Sequence, residues 1–349
     1  MFRLPDIDLN HVLKLAHADL QALKHKKLFI TGGTGFIGSW MVDCLLHADR
    51  VLNLDLKIYM LCRDSQKMYA RFPHFREESQ IQIVKGDVRH FVMEERGRVD
   101  FVIHGATDAS AKLNKEDPLL MSDTIVQGTR NVLENARKLG VDRFLMLSSG
   151  GVYGKFMNGV THVTENYPGG PDPLNLWYTY SESKRMAELL CAIYADRYHV
   201  EVPIARIFAL LGPRLPLDAH FAAGNFIQDA LLGRPVRVAG DGTSIRSYLY
   251  SVDLIVWLLA ILVRGSSGCA YNVGSAEAIS IKDLATFISQ LPCPAVPVEI
   301  LGVQDASNPV GYYVPNVNRA CEDLGLQVWT SLREAATRTF EWYRRSEGV

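Results

Sequence analysis

Val12, Leu13, Leu15, Ala16, Leu20 and Leu23 recur at roughly helical spacing, so residues 1–25 predict a helical extension that packs on the main body. From Lys27 the pattern changes to short apolar runs alternating with longer amphipathic stretches. Lys27–Thr31 (KLFIT), Lys57–Cys62 (KIYMLC), Ile81–Lys85 (IQIVK), Phe101–His104, Arg143–Ser148 (RFLMLS) and Val202–Phe208 (VPIARIF) predict six strands. Helices are predicted over Ser39–Leu46, Leu119–Leu139 and Tyr180–Tyr198, with a last one over Ser331–Arg345. Apolar strands that alternate with helices are covered on both faces, which predicts an α/β protein with a doubly wound parallel sheet. After Gly212 the texture shifts. Residues 213–245 carry Pro213, Pro216, Pro235 and several glycines, and predict a smaller C-terminal lobe over the strand ends, where ligands sit in such sheets.

Composition narrows this picture by exclusion. Hydrophobic residues make up 48% of 349 and charged residues 21%, enough for a sizeable core. A net charge of −1 gives no electrostatic case for nucleic acid or an anionic membrane as partner. Cys44, Cys62, Cys191, Cys269, Cys293 and Cys321 are scattered, without ligand spacing, so neither disulfides nor a metal site is expected and a cytoplasmic location fits. The first twenty residues do not read as a signal peptide. The most apolar run, Leu254–Val263, is half the length of a membrane span and predicts a buried helix.

Thr31-Gly-Gly-Thr-Gly-Phe-Ile-Gly38 falls between a predicted strand and a predicted helix, the context that gives a glycine fingerprint meaning. Gly32 and Gly35 allow a tight turn and close approach of backbone to a pyrophosphate. Gly38 lets the helix pack on the strand. The helix start at Phe36 and Ile37 then offers N–H groups to phosphate. The fold expected is therefore Rossmann-type. Its NAD(P)-binding domain spans 26–211, and a mainly substrate-binding lobe spans 212–349, with a segment near 247–274 returning to the Rossmann domain. If the second strand ends at Cys62, Arg63 stands where it can pair with the 2′-phosphate of NADP; a rival register over Val51–Leu54 ends at Asp55 and favours NAD. The β-forming content of KIYMLC favours the first register, and so NADP. Asp87 and Val88 follow the third strand, with Asp87 placed to accept from an adenine amino group. Gly105, Ala106 and Thr107 follow the fourth, small enough for backbone to pass near a cofactor.

Tyr180 and Lys184 are four residues apart, so on a helix they share one face. An ammonium near a phenol favours the phenolate, and a phenol so tuned can exchange a proton with a hydroxyl while hydride moves to or from nicotinamide. Ser149, at the end of the fifth strand, can hydrogen-bond the same oxygen.

From about Lys27 onward the chain resembles the extended short-chain dehydrogenase/reductase family, in its NAD(P)-dependent nucleotide-sugar epimerase/dehydratase branch. TGGTGFIG, GDV, VIHGAT, LSSGGVYG, YSESK, GDGTSIRSYLYSVD and YNVG carry the resemblance. It implies Ser149, Tyr180 and Lys184 as the catalytic set, with Tyr180 and Lys184 also touching the cofactor. It implies Arg246 on a substrate diphosphate with Tyr248 beside it, and a structural Asp253. Arg214 and Asn225 are further pocket candidates. Acidic residues that serve dehydration in relatives, and a glutamate in decarboxylating ones, fall where this chain has Gly150 and Gly151. Dehydration would then need a donor such as Asp108 or Glu165. The expected reaction is 4-epimerisation of a nucleotide sugar, with 4-ketoreduction next and 4,6-dehydration or decarboxylation after it. A non-catalytic nucleotide sensor on the same scaffold and a steroid or small-aldehyde reductase are the other readings. The family often has Asn where Ile125 and Ala209 stand here, which puts the substrate assignment in question. A homodimer through the two long helices is also implied.

Overall fold

The computed structural model describes residues 3–93, 97–107, 111–219, 221–303 and 310–347. Its centre is a parallel sheet of β1 (Lys27–Thr31), β2 (Lys57–Cys62), β3 (Ile81–Lys85), β4 (Phe101–His104), β5 (Arg143–Ser149) and β6 (Ile204–Ile207), closed at one edge by the strand Ala270–Val273. The strand order is 3-2-1-4-5-6 and then Ala270–Val273, so the chain reverses direction between β1 and β4. Ligands bind at such a reversal, because the loops on either side part there.

Alternating side chains point to opposite faces of a strand, so each face has its own core. Leu28, Ile30, Ile58, Met60, Ile103, Leu145 and Leu147 join one cluster, with residues of α3 (Phe36–Leu52) and of the buried helix Ser251–Arg264. Phe29, Tyr59, Val102, Phe144 and Met146 join the other, with residues of two helices introduced below, Pro118–Lys138 and Thr179–Tyr198.

α3 is longer than its predicted span of Ser39–Leu46. Asp43 and Asp49 interrupt the apolar pattern, yet both are buried and paired. Asp43 meets His74 Nε2 at 2.8 Å and Arg214 Nη1 at 2.6 Å; Asp49 accepts from the Leu56 N–H and Gln80 Nε2, each at 2.8 Å. α3 therefore takes up Val51 and Leu52, and the rival second strand there does not form. β2 runs over Lys57–Cys62 and ends at Arg63.

Before the sheet, α1 (Asp6–Leu15) and α2 (His17–Gln21) pack on α3 and on Ser251–Arg264. Buried charge anchors them. Asp8 accepts from Tyr250 Oη at 2.8 Å and pairs with Arg338, and Asp19 pairs with Arg264 at 2.7 Å. Burial raises the Asp8 carboxyl above its ordinary range, with Arg338 opposing.

Between β2 and β5 lie α4 (Ser65–Arg71), α5 (Ala111–Glu116) and α6 (Pro118–Lys138); α7 (Thr179–Tyr198) precedes β6. α6 starts where a Pro at its first position follows Asp117, whose carboxylate accepts the Leu120 N–H at 3.0 Å. In the C-terminal region lie α8 (Ala222–Leu231) and a small sheet of the two-residue strands Ile279–Ser280, Ile245–Arg246 and Tyr312–Tyr313. Ser251–Arg264 and Ala270–Val273 return to the sheet. The last helix spans Leu332–Glu347. Among the described residues no helix is long and apolar enough to cross a membrane.

Candidate active site

The glycine turn joins β1 to α3 and rests on the end of β4. Gly32 has φ 74°, and a Cβ there would stand 2.6 Å from the carbonyl of Gly105. A Cβ on Gly38 would fall 2.2 Å from the Gly32 oxygen, so α3 packs as closely as backbone permits. Gly35 holds the N-cap position of α3, with no side chain to take the first-turn N–H groups around Phe36, Ile37 and Gly38. An anionic diphosphate suits that end of the helix. The β1 and β4 ends are tied by Thr31 Oγ1, which accepts from the N–H of Gly105 at 3.2 Å and of Ala106 at 3.1 Å and meets His104 Nδ1 at 2.7 Å. Thr107 buries a hydroxyl that meets no partner among the described residues. Together the cradle and the orphaned hydroxyl fit a dinucleotide.

Arg63 is exposed at the end of β2, and the acid beside it is engaged: Asp64 caps α4, accepting the N–H of Gln66 and Lys67 at 3.0 Å. Asp87, the residue expected at the adenine, is already paired within its own turn. Both its oxygens are taken by Arg89, at 2.9 Å each, which holds the carboxyl down to about 2. Val88 sends its side chain into the core, 2.9 Å from where a Cβ on Gly128 would stand.

Ser149 ends β5, and its Oγ accepts the Gly151 N–H at 3.1 Å. Tyr180 and Lys184 occupy the first turns of α7. The start of that helix is fixed by Asn114 of α5, which sequence reasoning missed: its Oδ1 accepts the Tyr180 N–H at 2.9 Å and its Nδ2 donates to the Trp177 carbonyl at 3.1 Å. Lys184 Nζ lies 5.9 Å from the Tyr180 ring centre and donates to the Leu147 carbonyl at 2.8 Å. Burial brings its ammonium down to about 8, with Glu188 opposing. The expected lowering of the phenol by lysine is not what dominates here. Burial pushes Tyr180 above its usual range, and the hydrogen bond with Ser149 opposes that. His104, buried near Lys184, is brought down to about 3 by burial and then by that cation, so it stays neutral.

A buried network supports this constellation from below and was not evident in the sequence. Arg206 pairs with Glu188 at 2.7 Å and donates to Tyr153 Oη at 2.9 Å; Tyr153 donates to Asn272 Oδ1 at 2.7 Å. Ser148 donates to Glu188 at 2.5 Å. The turn after Ser149 is thereby pinned to α7 and β6.

On the substrate side, Arg246 donates to the carbonyls of Ile245 at 2.9 Å and Gly311 at 3.2 Å, with its guanidinium 5.8 Å from the Tyr313 ring centre. Among the described residues no carboxylate comes within ion-pair distance of it. Tyr248 is buried beside it, its phenol pushed up to about 12. Asn225 is half-buried on α8. Arg214 is a correction: its side chain is fully buried against Asp43 and Phe72 and belongs to the core. Glu165 is likewise engaged, accepting the Asn272 N–H at 2.8 Å with Arg319 at 4.0 Å, which removes it as a proton donor to substrate. Asp108 lies outside the described residues. Ile125 is buried in the core, so no polar contact replaces the Asn expected there.

Gly150 is enclosed. A Cβ there would meet the Phe208 ring at 2.7 Å and Tyr313 Oη at 2.8 Å, and a Cβ on Gly151 would meet Ser181 Oγ at 2.9 Å. Tyr313, which sequence reasoning also missed, reaches this point because its two-residue strand pairs with Ile245–Arg246.

A parallel sheet with this strand order, a glycine cradle at the reversal point and a Ser–Tyr–Lys constellation define an extended short-chain dehydrogenase/reductase. The NAD dependent epimerase/dehydratase family matches residues 28–274, and the chain belongs to it. It is 32% identical over 325 residues to UDP-glucuronic acid decarboxylase 6 of Arabidopsis thaliana, covering 93% of this chain and 90% of that protein. The fold matches UDP-glucuronic acid 4-epimerase of Bacillus cereus, solved with NAD, at TM-score 0.78 and 22% identity, covering 92% of this chain and 99% of that one. It also matches dTDP-glucose 4,6-dehydratase of Streptomyces venezuelae, again with NAD bound, at TM-score 0.77 and 24% identity, over 92% and 98% of the two chains.

Proposed function

We propose that the chain oxidises a nucleotide-linked sugar at C4. The observation that carries this is the convergence of Ser149, Tyr180 and Lys184 at the end of β5 and the start of α7, across β4 from the glycine cradle. A bound NAD(P) supplies the hydride acceptor at its nicotinamide. Tyr180 takes the proton of the C4 hydroxyl, Ser149 orients that oxygen, and Lys184 places a positive charge behind the phenol. Backbone around Gly32, Gly35, Phe36, Ile37 and Gly38 holds the cofactor diphosphate, and Arg246 takes the substrate diphosphate.

Decarboxylation of a nucleotide-linked uronic acid is the outcome favoured by the decarboxylases at 30–32% identity. Once C4 is a ketone it lies β to the C6 carboxylate. Carbon dioxide leaves with the ketone as electron sink, the enol takes a proton at C5, and the hydride taken from C4 would return from the bound cofactor to the ketone, leaving a nucleotide-linked pentose. Loss of carbon dioxide needs no base at C5, but the glutamate that decarboxylating relatives carry falls where this chain has Gly150 and Gly151, so the C5 proton must come from another donor. Those same bare positions favour a second reading, 4-epimerisation, in which the ketone is reduced again from its other face. Arg63 beside the engaged Asp64 favours NADP at the ribose end. Met186, Leu189 and Ile193, exposed along one face of α7, support a homodimer through α6 and α7.

The test is incubation with NAD or NADP and a panel of UDP-glucuronic acid, UDP-glucose and UDP-galactose, following products by NMR together with released carbon dioxide. Turnover of at least one sugar is expected. Tyr180→Phe should cut it by about 10²–10⁴ while cofactor stays bound. Binding without turnover in the wild type would favour a sensor instead.

A further inference from the structure

Arg246 and the turn after Ser149 mark the two ends of a substrate strung from its diphosphate to C4, and Tyr313 touches both. Its ring centre lies 5.8 Å from the Arg246 guanidinium, and its two-residue strand pairs in register with Arg246. At the other end its hydroxyl lies 2.8 Å from where a Cβ on Gly150, the residue after Ser149, would stand. The Phe208 ring, 4.7 Å away between centres, packs against the phenol and holds it there. A sugar held between Arg246 and the Ser149–Tyr180 pair therefore passes Tyr313.

Decarboxylation makes a chemical demand at that place. Breaking the C5–C6 bond sends its electron pair toward the C4 ketone and gives an enolate, and C5 must then take a proton. Gly150 and Gly151 carry no acid. Glu188 and Glu165, which join the network beneath this turn, are engaged, by Arg206 at 2.7 Å and by the Asn272 N–H at 2.8 Å. Tyr180 is committed to the oxygen on C4. The Tyr313 hydroxyl fills the space beside the bare Gly150, and burial holds its phenol above the ordinary range, so its proton is in place when the enolate forms.

We propose that Tyr313 is a catalytic residue, the acid that delivers the proton to C5 after carbon dioxide has left. This rests on the decarboxylase reading. The O–H bond of Tyr313 breaks, its proton bonds to C5 with the electron pair of the enolate, and the ketone at C4 re-forms. The phenolate left behind recovers a proton from solvent, to which the half-buried residue is open. An acid fixed on one side of the sugar gives C5 its new hydrogen from one face only. The bare Gly150 belongs to the same arrangement, because any side chain there would displace the Tyr313 hydroxyl.

The test is conversion of UDP-glucuronic acid in deuterium oxide with NAD or NADP, read by NMR at C5 of the pentose formed. The wild type should place one deuterium at C5 in a single configuration. Tyr313→Phe keeps the ring against Phe208 and Arg246 and loses only the acid. Pentose formation should fall by about 10²–10³-fold, and the product that remains should carry deuterium in both C5 configurations, delivered by water. Reduced cofactor should still form in a single turnover at close to the wild-type rate, since oxidation at C4 does not use Tyr313. A Tyr313→Phe enzyme that keeps the single configuration overturns the proposal whether or not its rate falls, because a residue that only shapes the pocket leaves the face of protonation unchanged. Loss of cofactor reduction as deep as the loss of pentose overturns it as well. Failure of the decarboxylase reading looks different: the wild type itself releases no carbon dioxide, and Tyr313 then has no enolate to protonate.

Discussion

Arg214 and Arg246 stand 32 residues apart in the C-terminal half, one buried and the other half-buried, and the fold meets their charges in opposite ways. Arg214 has a built-in counter-ion: Asp43 lies 2.6 Å away, and the Phe72 ring backs the guanidinium at 5.1 Å. Arg246 has two backbone carbonyls, the Tyr313 ring and, among the described residues, no carboxylate. Burial lowers its pKa, so its charge is held at some cost. A cation neutralised from within is part of the fold. One left facing carbonyls and a ring is a place where an incoming anion gains most, and there a fixed guanidinium fork matches a diphosphate.

The largest effect should fall on the first of the pair. Arg214→Ala leaves the Asp43 carboxylate buried with only His74 beside it, and should cost about 3–5 kcal/mol in urea unfolding. Arg246→Ala should cost less than about 1 kcal/mol in the same assay, since it strands no partner. Equal losses would dissolve the distinction. For Arg246→Ala the loss should appear instead in substrate affinity, as a KM about 10–100-fold higher with kcat changed far less. A KM that stays put would remove the diphosphate from this arginine.

A smaller effect extends the rule to a base. His104 has no counter-ion, and it stays neutral between Thr31 and Thr129. Its pKa falls from 6.5 to about 3, through burial first and Lys184 second. Below pH 6.5 the unfolded chain therefore binds a proton that the folded chain refuses. The stability this residue contributes is complete above pH 6.5 and is lost as pH falls toward 3, by about 1 kcal/mol per unit within that window. Urea unfolding at several pH values should show this slope in the wild type and lose it in His104→Gln. A slope common to both would place the acid sensitivity elsewhere.

What could be read in advance follows the same division. The glycine turn, β2 over KIYMLC and the Tyr180–Lys184 pair are local patterns, and local patterns survive into the fold because backbone geometry enforces them. Helix α3 was legible only in its middle, because Asp43 and Asp49 look like surface residues until His74, Arg214 and Gln80 come back from elsewhere in the chain to meet them. Arg214 and Asp43 are 171 positions apart, and no spacing rule joins them. Tyr313 is the sharper case. It reaches the turn at Gly150 on a two-residue strand, too short to show alternation, held in register by Arg246 on another equally short. Asn114, which sets the start of α7, sits in a six-residue helix that carries no chemical motif. Asp87 stands where expected, and its pairing with Arg89 two residues on was not legible from the motif.

The smallest predicted effect concerns the ribose end of the cofactor, where a third arginine is exposed. Arg63 follows β2 directly, and the acid that would rival it for a ribose hydroxyl is already spent on the first turn of α4. The local charge that a cofactor meets at this strand end is therefore positive. Such an exposed cation is screened by salt and gains little from any partner, so its contribution to a 2′-phosphate should be modest. Arg63→Ala should weaken NADP binding by about 5–10-fold at low ionic strength, less as salt rises, and leave NAD binding nearly unchanged. Calorimetric titration with both dinucleotides at two salt concentrations separates the cases. Equal weakening of the two would mean Arg63 acts on the shared part of the cofactor. Tight NAD binding with no measurable NADP binding in the wild type would show that the cation at this strand end does not select the phosphate at all.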